Sequence, residues 1–135
     1  MYQKRNLSEE LKHQLKNGTM TNRLIIANVV VFLLIHTILA LGRMTENDFY
    51  PLINTLFALS ASGKGLLTMP WGLFTSIFTH FDIFHIFFNM IFLYFAGNLF
   101  ERFFNGKHLL IVYLFGGLLG GVSEVIYSSF FLANN

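Results

Sequence analysis

Hydrophobic positions along the chain fall into three long blocks separated by polar links. The first, Leu24 to Gly42, reads LIIANVVVFLLIHTILALG and carries no charged residue. As a helix its 19 residues rise about 28 Å, close to the hydrocarbon thickness of a bilayer. The second block is uncharged from Ile83 to Phe100, with apolar character reaching back to Leu73 and only Asp82 interrupting it. The third runs from His108 to Ser123 and continues past Glu124 to Leu132. Each is long enough to cross a membrane. Ahead of them, Leu7, Leu11 and Leu15 stand four apart and predict one apolar helical stripe over residues 7–16. Ser8 is placed to cap that helix, with Glu9 and Glu10 at the positive end of its dipole. The stripe suits either a helix lying on the inner leaflet or an ordinary solvated leader. Between the first two blocks, Phe49, Leu52, Ile53, Leu56, Phe57 and Leu59 predict an amphipathic helix in the membrane interface. Ser60 to Gly65 then reads SASGKG, a flexible turn, and Trp71 follows where an interfacial anchor is expected.

Composition sharpens the class. Of 135 residues, 54% are hydrophobic and 12% charged, about half the charged share of a soluble domain. A soluble fold of this size has no interior for 17 phenylalanines. The expected fold is an all-α membrane protein with three transmembrane helices and a long outer loop between the first two. The segments are a basic leader with a short amphipathic helix at 1–23, helix 1 at 24–42 and an outer loop at 43–72. An outer re-entry with helix 2 occupies 73–100, a cytoplasmic turn 101–107 and helix 3 108–132. Ala40-Leu41-Gly42 resembles a signal-peptide cleavage site, but the apolar run and basic leader are both too long for one. Cysteine is absent, so disulfides and thiolate sites are excluded.

The formal charge of +2 is small, and its placement carries the information. Five of the nine basic residues lie in the first 23 positions: Lys4, Arg5, Lys12, Lys16 and Arg23. In the 43–70 link, Arg43 and Lys64 are offset by Glu46 and Asp48, while the 101–107 link holds Arg102 and Lys107. Basic residues mark the cytoplasmic side. The N-terminus is therefore expected in the cytoplasm and the C-terminus outside, with membrane lipids as the surroundings. The basic residues are an orientation signal, and no nucleic-acid partner is implied.

Polar side chains inside an apolar span are costly and need a partner or a purpose. His85 and Asn89 lie four apart, on one helical face near the outer end of the second span. Two sheltered hydrogen-bond donors side by side can stabilise an oxyanion. The same pair can equally be a helix–helix contact. His80, Asp82 and His85 would be metal ligands only with a five-residue step that fits one helical face poorly, so no metal or cofactor is expected. Gly97 precedes Glu101 by four and allows a close neighbour. In the third span, Gly116 and Gly120 interleave with Gly117 and Gly121 as two small-xxx-small patterns, which permit tight helix packing. A three-span chain can use one such face internally; the second needs another helix. Asn28, His36 and Glu124 read singly as packing or interfacial residues.

Taken together, the stretch from Trp71 to Gly121 resembles the rhomboid family of intramembrane serine proteases, most closely bacterial members. The pattern is Trp71, then His80, then His-x-x-x-Asn as His85 and Asn89, then Gly-x-x-x-Glu as Gly97 and Glu101, then Gly106. The resemblance implies that the long outer loop is semi-embedded and that His85 and Asn89 stabilise the oxyanion of the tetrahedral intermediate. It makes His80, Trp71 and Glu101 site-supporting residues and implies transmembrane proteins as substrates and a bacterial inner membrane as the location. The family often has Arg after its loop Trp, where Gly72 stands here. Its nucleophile, in Gly-x-Ser-Gly on a fourth span, and its base, a His on a sixth, have no counterpart in these residues. Gly121-Val122-Ser123 is followed by Glu124 where that motif has Gly, and no His follows His108. The expectation is thus an N-terminal part of such a protease, inactive alone, with no catalytic dyad and the C-terminal half as its missing partner. The alternative is a non-catalytic relative that binds transmembrane helices.

Overall fold

Asn6 opens the first helix, α1 (Leu7–Asn17): its side chain accepts from the Glu9 N–H at 2.9 Å while the Glu9 carboxylate accepts from the Asn6 N–H at 3.3 Å. This capping box satisfies two backbone donors reciprocally. Ser8, the expected cap, instead donates its hydroxyl to Asn6 Oδ1 at 2.8 Å. Only Asn6 has an acid three positions on; Ser8 has Leu11 there. The structure is a computed structural model and describes residues 6–60 and 63–132. Lys4 and Arg5 of the leader, and Ala61 and Ser62 of the expected flexible turn, lie outside the described residues.

Thr19 caps the second helix, α2 (Met20–Met44), by accepting from the Asn22 N–H at 3.2 Å. The helix therefore starts four residues before its hydrophobic block. Three short helices follow: α3 (Tyr50–Phe57), α4 (Gly63–Thr68) and α5 (Gly72–Thr75). Pro51 sits in the first turn of α3, where its missing N–H costs nothing. The second apolar block does not run unbroken from Leu73. Turns occupy residues 76–78, and Asp82 restarts the helix as the cap of α6 (Ile83–Phe103), accepting from the His85 N–H at 2.7 Å. Asn105 caps α7 (Gly106–Tyr127) in the same way at 3.1 Å, and a single π-helical turn continues to Leu132.

The helices Met20–Met44, Ile83–Phe103 and Gly106–Phe130 are long and apolar enough to cross a membrane. Their outer faces expose Leu33, Phe92, Phe95, Phe115 and Leu119, as lipid contact requires. Among the described residues there is no strand, and the fold is that of an all-α membrane protein. Its few buried apolar side chains, among them Leu24, Ile35, Ile86, Leu109 and Val125, are joined by the buried polar Thr21 and Asn28 of α2. Helix α2 packs most extensively on α6 and also touches α7. Although only Phe104 and Asn105 join α6 to α7, the two leave a groove of about 660 Å³ between them.

Helices α2 and α6 are fastened at one point. Glu101 Oε1 accepts from the Met20 N–H at 2.9 Å, and Oε2 accepts from the Thr21 N–H at 2.9 Å and the Thr21 hydroxyl at 2.5 Å. A carboxylate thus caps the free donors at the start of α2, where the helix dipole favours negative charge. One turn earlier on α6, a Cβ on Gly97 would stand 2.6 Å from Thr21 Oγ1. No side chain fits there without moving the helices apart. By contrast, a Cβ on Gly116 would meet nothing within 4 Å. Gly97→Leu is therefore expected to destabilise the protein in detergent by at least ~1–3 kcal/mol through overpacking. Gly116→Ala should be neutral or stabilise by up to about 1 kcal/mol through helix propensity. Thermal or denaturant unfolding of both variants checks this; equal effects would show that α2 and α6 do not meet at Gly97.

Candidate functional site

Two layers of polar contact place the candidate site at the end of α6 that carries Asp82. In the first, buried Asn28 donates from Nδ2 to the Leu24 carbonyl and to Tyr113 Oη, each at 2.8 Å. Tyr113 then donates its hydroxyl to the Ile77 carbonyl at 3.2 Å. One side chain from α2 and one from α7 thereby hold the non-helical segment that leads into α6. Gly117 lets that segment come close, since a Cβ there would stand 2.7 Å from Ile77 Cγ1. Gly121, one turn on, faces Leu73 and Leu59 at 3.0 and 3.3 Å. Thr75 adds a bond from its hydroxyl to the Phe57 carbonyl at 3.2 Å, tying α5 to α3.

The second layer is the histidine cluster. His80 is buried at the end of this pinned segment. Its Nδ1 lies 3.3 Å from the Phe78 carbonyl, and its Nε2 lies 3.0 Å from Asn89 Nδ2. A carbonyl on one side and an amide NH₂ on the other assign the neutral ring with its proton on Nδ1. The ring of His85 packs edge-on to it, with centroids 5.1 Å apart. His85 and Asn89 are both exposed. His80, His85 and Asn89 therefore form one connected group in which Asn89 has a second amide hydrogen to give. The groove between α6 and α7 opens onto this group, lined by His80, Asn89, Leu93, Tyr113 and Gly116.

The remaining sequence candidates fall elsewhere. Trp71 is 44% exposed and serves α5 through its carbonyl, which accepts from the N–H groups of Phe74 and Thr75. Asp82 is engaged as the cap of α6, and among the described residues no three His, Cys, Asp or Glu side chains stand together as metal ligands. Ser123 donates its hydroxyl to the Leu119 carbonyl at 2.8 Å within its own helix. Glu124 accepts from the buried Ser128 hydroxyl at 3.0 Å, and His36 lies against the ring and carbonyl of Phe32. Of the two glycine faces of α7, Gly117 and Gly121 receive the loop segment, whereas Gly116 and Gly120 meet nothing within 4 Å. Sequence reading missed Tyr113 and Thr21. The costly Asn28 inside a span signalled that a partner had to exist, without telling which.

Residues 67–132 match the Rhomboid domain family. RHOMBOID-like protein 12, mitochondrial, from Arabidopsis thaliana is 36% identical over 112 residues, covering 83% of this chain and 30% of that protein. No solved structure matches. With the fold and the spacing of its polar residues, these matches show that the chain belongs to the rhomboid family. It spans about 30% of the length of the curated relative it matches. The mitochondrial location is that of the plant protein; this chain is an integral membrane protein.

Burial pushes the pKa of His80 below the ordinary value of 6.5, outweighing the bond to Phe78, and the neighbouring His85 lowers it further. A proton on Nε2 would also face the Asn89 amide donors. The folded state thus binds this proton more weakly than the unfolded chain, so stability rises with pH. The contribution is complete above about 6.5 and is lost as pH falls through the lowered folded value. Unfolding midpoints between pH 5 and 8 are expected to fall on the acid side, and His80→Gln should flatten that slope. An unchanged slope in the variant would remove His80 as its source.

Proposed function

We propose that these residues form the oxyanion-stabilising half of an intramembrane serine endopeptidase that cleaves transmembrane proteins. The observation that carries this reading is the cluster in which buried His80 holds Asn89, with exposed His85 one turn away on the same helix. In acyl transfer a serine oxygen attacks the scissile carbonyl carbon, and the carbonyl oxygen gains negative charge. Donors already fixed in place lower that barrier because they need no reorganisation as the charge develops. His80 fixes Asn89 through one amide hydrogen, which leaves the other for the oxyanion, and His85 supplies a ring N–H. The nucleophile and base would come from further spans. The groove between α6 and α7, lined on α7 by the open Gly116 with Gly120 one turn further along, would be the place for a helix bearing the serine. On the charge pattern, Glu101 and the leader lie at the cytoplasmic end and the histidine cluster at the outer end.

A second reading is favoured by the same open glycine face: a non-catalytic relative that binds a partner's transmembrane helix there. The two separate by experiment. The 135-residue chain alone is expected to leave a model transmembrane substrate uncut. Co-expressed with a rhomboid segment that carries Gly-x-Ser-Gly and the later His, it should yield cleavage blocked by a serine-directed phosphonate. A folded, membrane-inserted pair that never labels or cleaves would contradict the protease reading. Helix capture that survives joint His85→Ala and Asn89→Ala replacement and fails on Gly116→Leu would then support the second.

A further inference from the structure

Helix α1 has a face that the protein itself does not cover. Leu7, Leu11 and Leu15 are 78%, 39% and 50% exposed, and none of the residues of α1 is buried. Successive residues turn by about 100°, so these three leucines form one stripe, with Lys12 and Lys16 displaced toward the far side. The helix is nevertheless held in a fixed position. Gln14 accepts from Asn22 Nδ2 at 3.0 Å and itself donates to Glu10 at 2.9 Å, and Arg23 donates to the Lys16 carbonyl at 2.9 Å. The Gly18 N–H bonds to the Gln14 carbonyl, and only Gly18 and Thr19 separate α1 and the membrane-spanning α2. A Cβ on Gly18 would stand 2.3 Å from that carbonyl, so no side chain fits at this end of α1. The exposed stripe therefore sits where the first span leaves the hydrocarbon.

Charge at this end of the molecule is positive. Lys12, Lys16, Arg23, Arg102 and Lys107 outnumber Glu9, Glu10 and Glu101 on α1 and at the ends of α2, α6 and α7 that meet at Glu101. We infer that α1 is a membrane-interface helix that buries its leucine stripe at the headgroup boundary of an anionic leaflet, with its lysines on the phosphates. Continuity with the spanning helix decides the occupant, because any bilayer around α2 also meets α1. Complementary charge adds anionic headgroups as the preferred surface. A solvated leader would leave three leucines in water beside a bilayer two residues away.

The absence of cysteine allows single-site nitroxide labels. The 135-residue chain carrying Leu11→Cys or Lys12→Cys is reconstituted in vesicles of phosphatidylcholine alone or with about 30% phosphatidylglycerol. Collision with oxygen, which concentrates in the bilayer, is compared with collision with a water-soluble nickel chelate. In the anionic vesicles, the oxygen-to-nickel ratio is expected to be several-fold higher at Leu11 than at Lys12. The joint change Lys12→Glu and Lys16→Glu, with the label at Leu11, should lower that ratio several-fold in anionic vesicles and little in neutral ones. Equal, water-like ratios at both positions would overturn the inference in favour of a solvated leader. Shielding of Leu11 from both reagents would overturn it in favour of a protein contact.

Discussion

The carboxylate of Glu101 at the start of α2 is the contact on which the rest of this structure depends. Thr21 is buried against α6, so water does not reach the free N–H groups at this helix start and they require a fixed acceptor. Glu101 provides it from another helix, through three bonds to Met20 and Thr21. Bonds of this kind to an ionised acceptor are stronger than neutral ones and hold geometry more tightly. They also require α2 and α6 to approach closely, which Gly97 permits. Glycine and glutamate four apart are thus one device: the first opens the space and the second fills the need that closeness creates.

From that fixed pair the order propagates along the bundle. Asn28 on α2 and Tyr113 on α7 hold the carbonyl of Ile77, and Gly117 gives Ile77 its seat. The segment so pinned ends in His80, which in turn holds Asn89 back on α6. The chain of contacts starts on α2, crosses to α7 and the loop, and returns to α6. Each polar group inside it has a partner, as the cost of burial demands. What stays open is equally informative. Asn89, with its free hydrogen, and Gly116 line one groove; exposed His85 stands one turn from Asn89 and the open Gly120 one turn from Gly116, and in the proposed function these are the groups a reacting carbonyl and a further helix would use.

Much of this could be read from the residues alone. The three spans followed from the length and apolarity of their blocks, and the use of only one glycine face of α7 inside the chain followed from there being three spans. The limits of the elements were less legible because single side chains set them. Thr19 moves the start of α2 outward, and Asp82 breaks the second block by capping a new helix start. Asn6 displaces Ser8 because its acid stands three residues on. The partners of Glu101, Asn28 and His80 are up to 85 residues away in the chain, and no local spacing encodes such pairings.

The central proposal is that His85 and Asn89 act on developing charge, whereas Glu101 and Gly97 act on the scaffold. The most direct measurement is single-turnover cleavage by an assembled protease containing this chain, alongside its unfolding midpoint. His85→Ala and Asn89→Ala are each expected to lower the chemical step by roughly 10²–10³-fold with little change in substrate affinity or in the midpoint. Full retention of the chemical step in both variants, with assembly intact, would contradict the account.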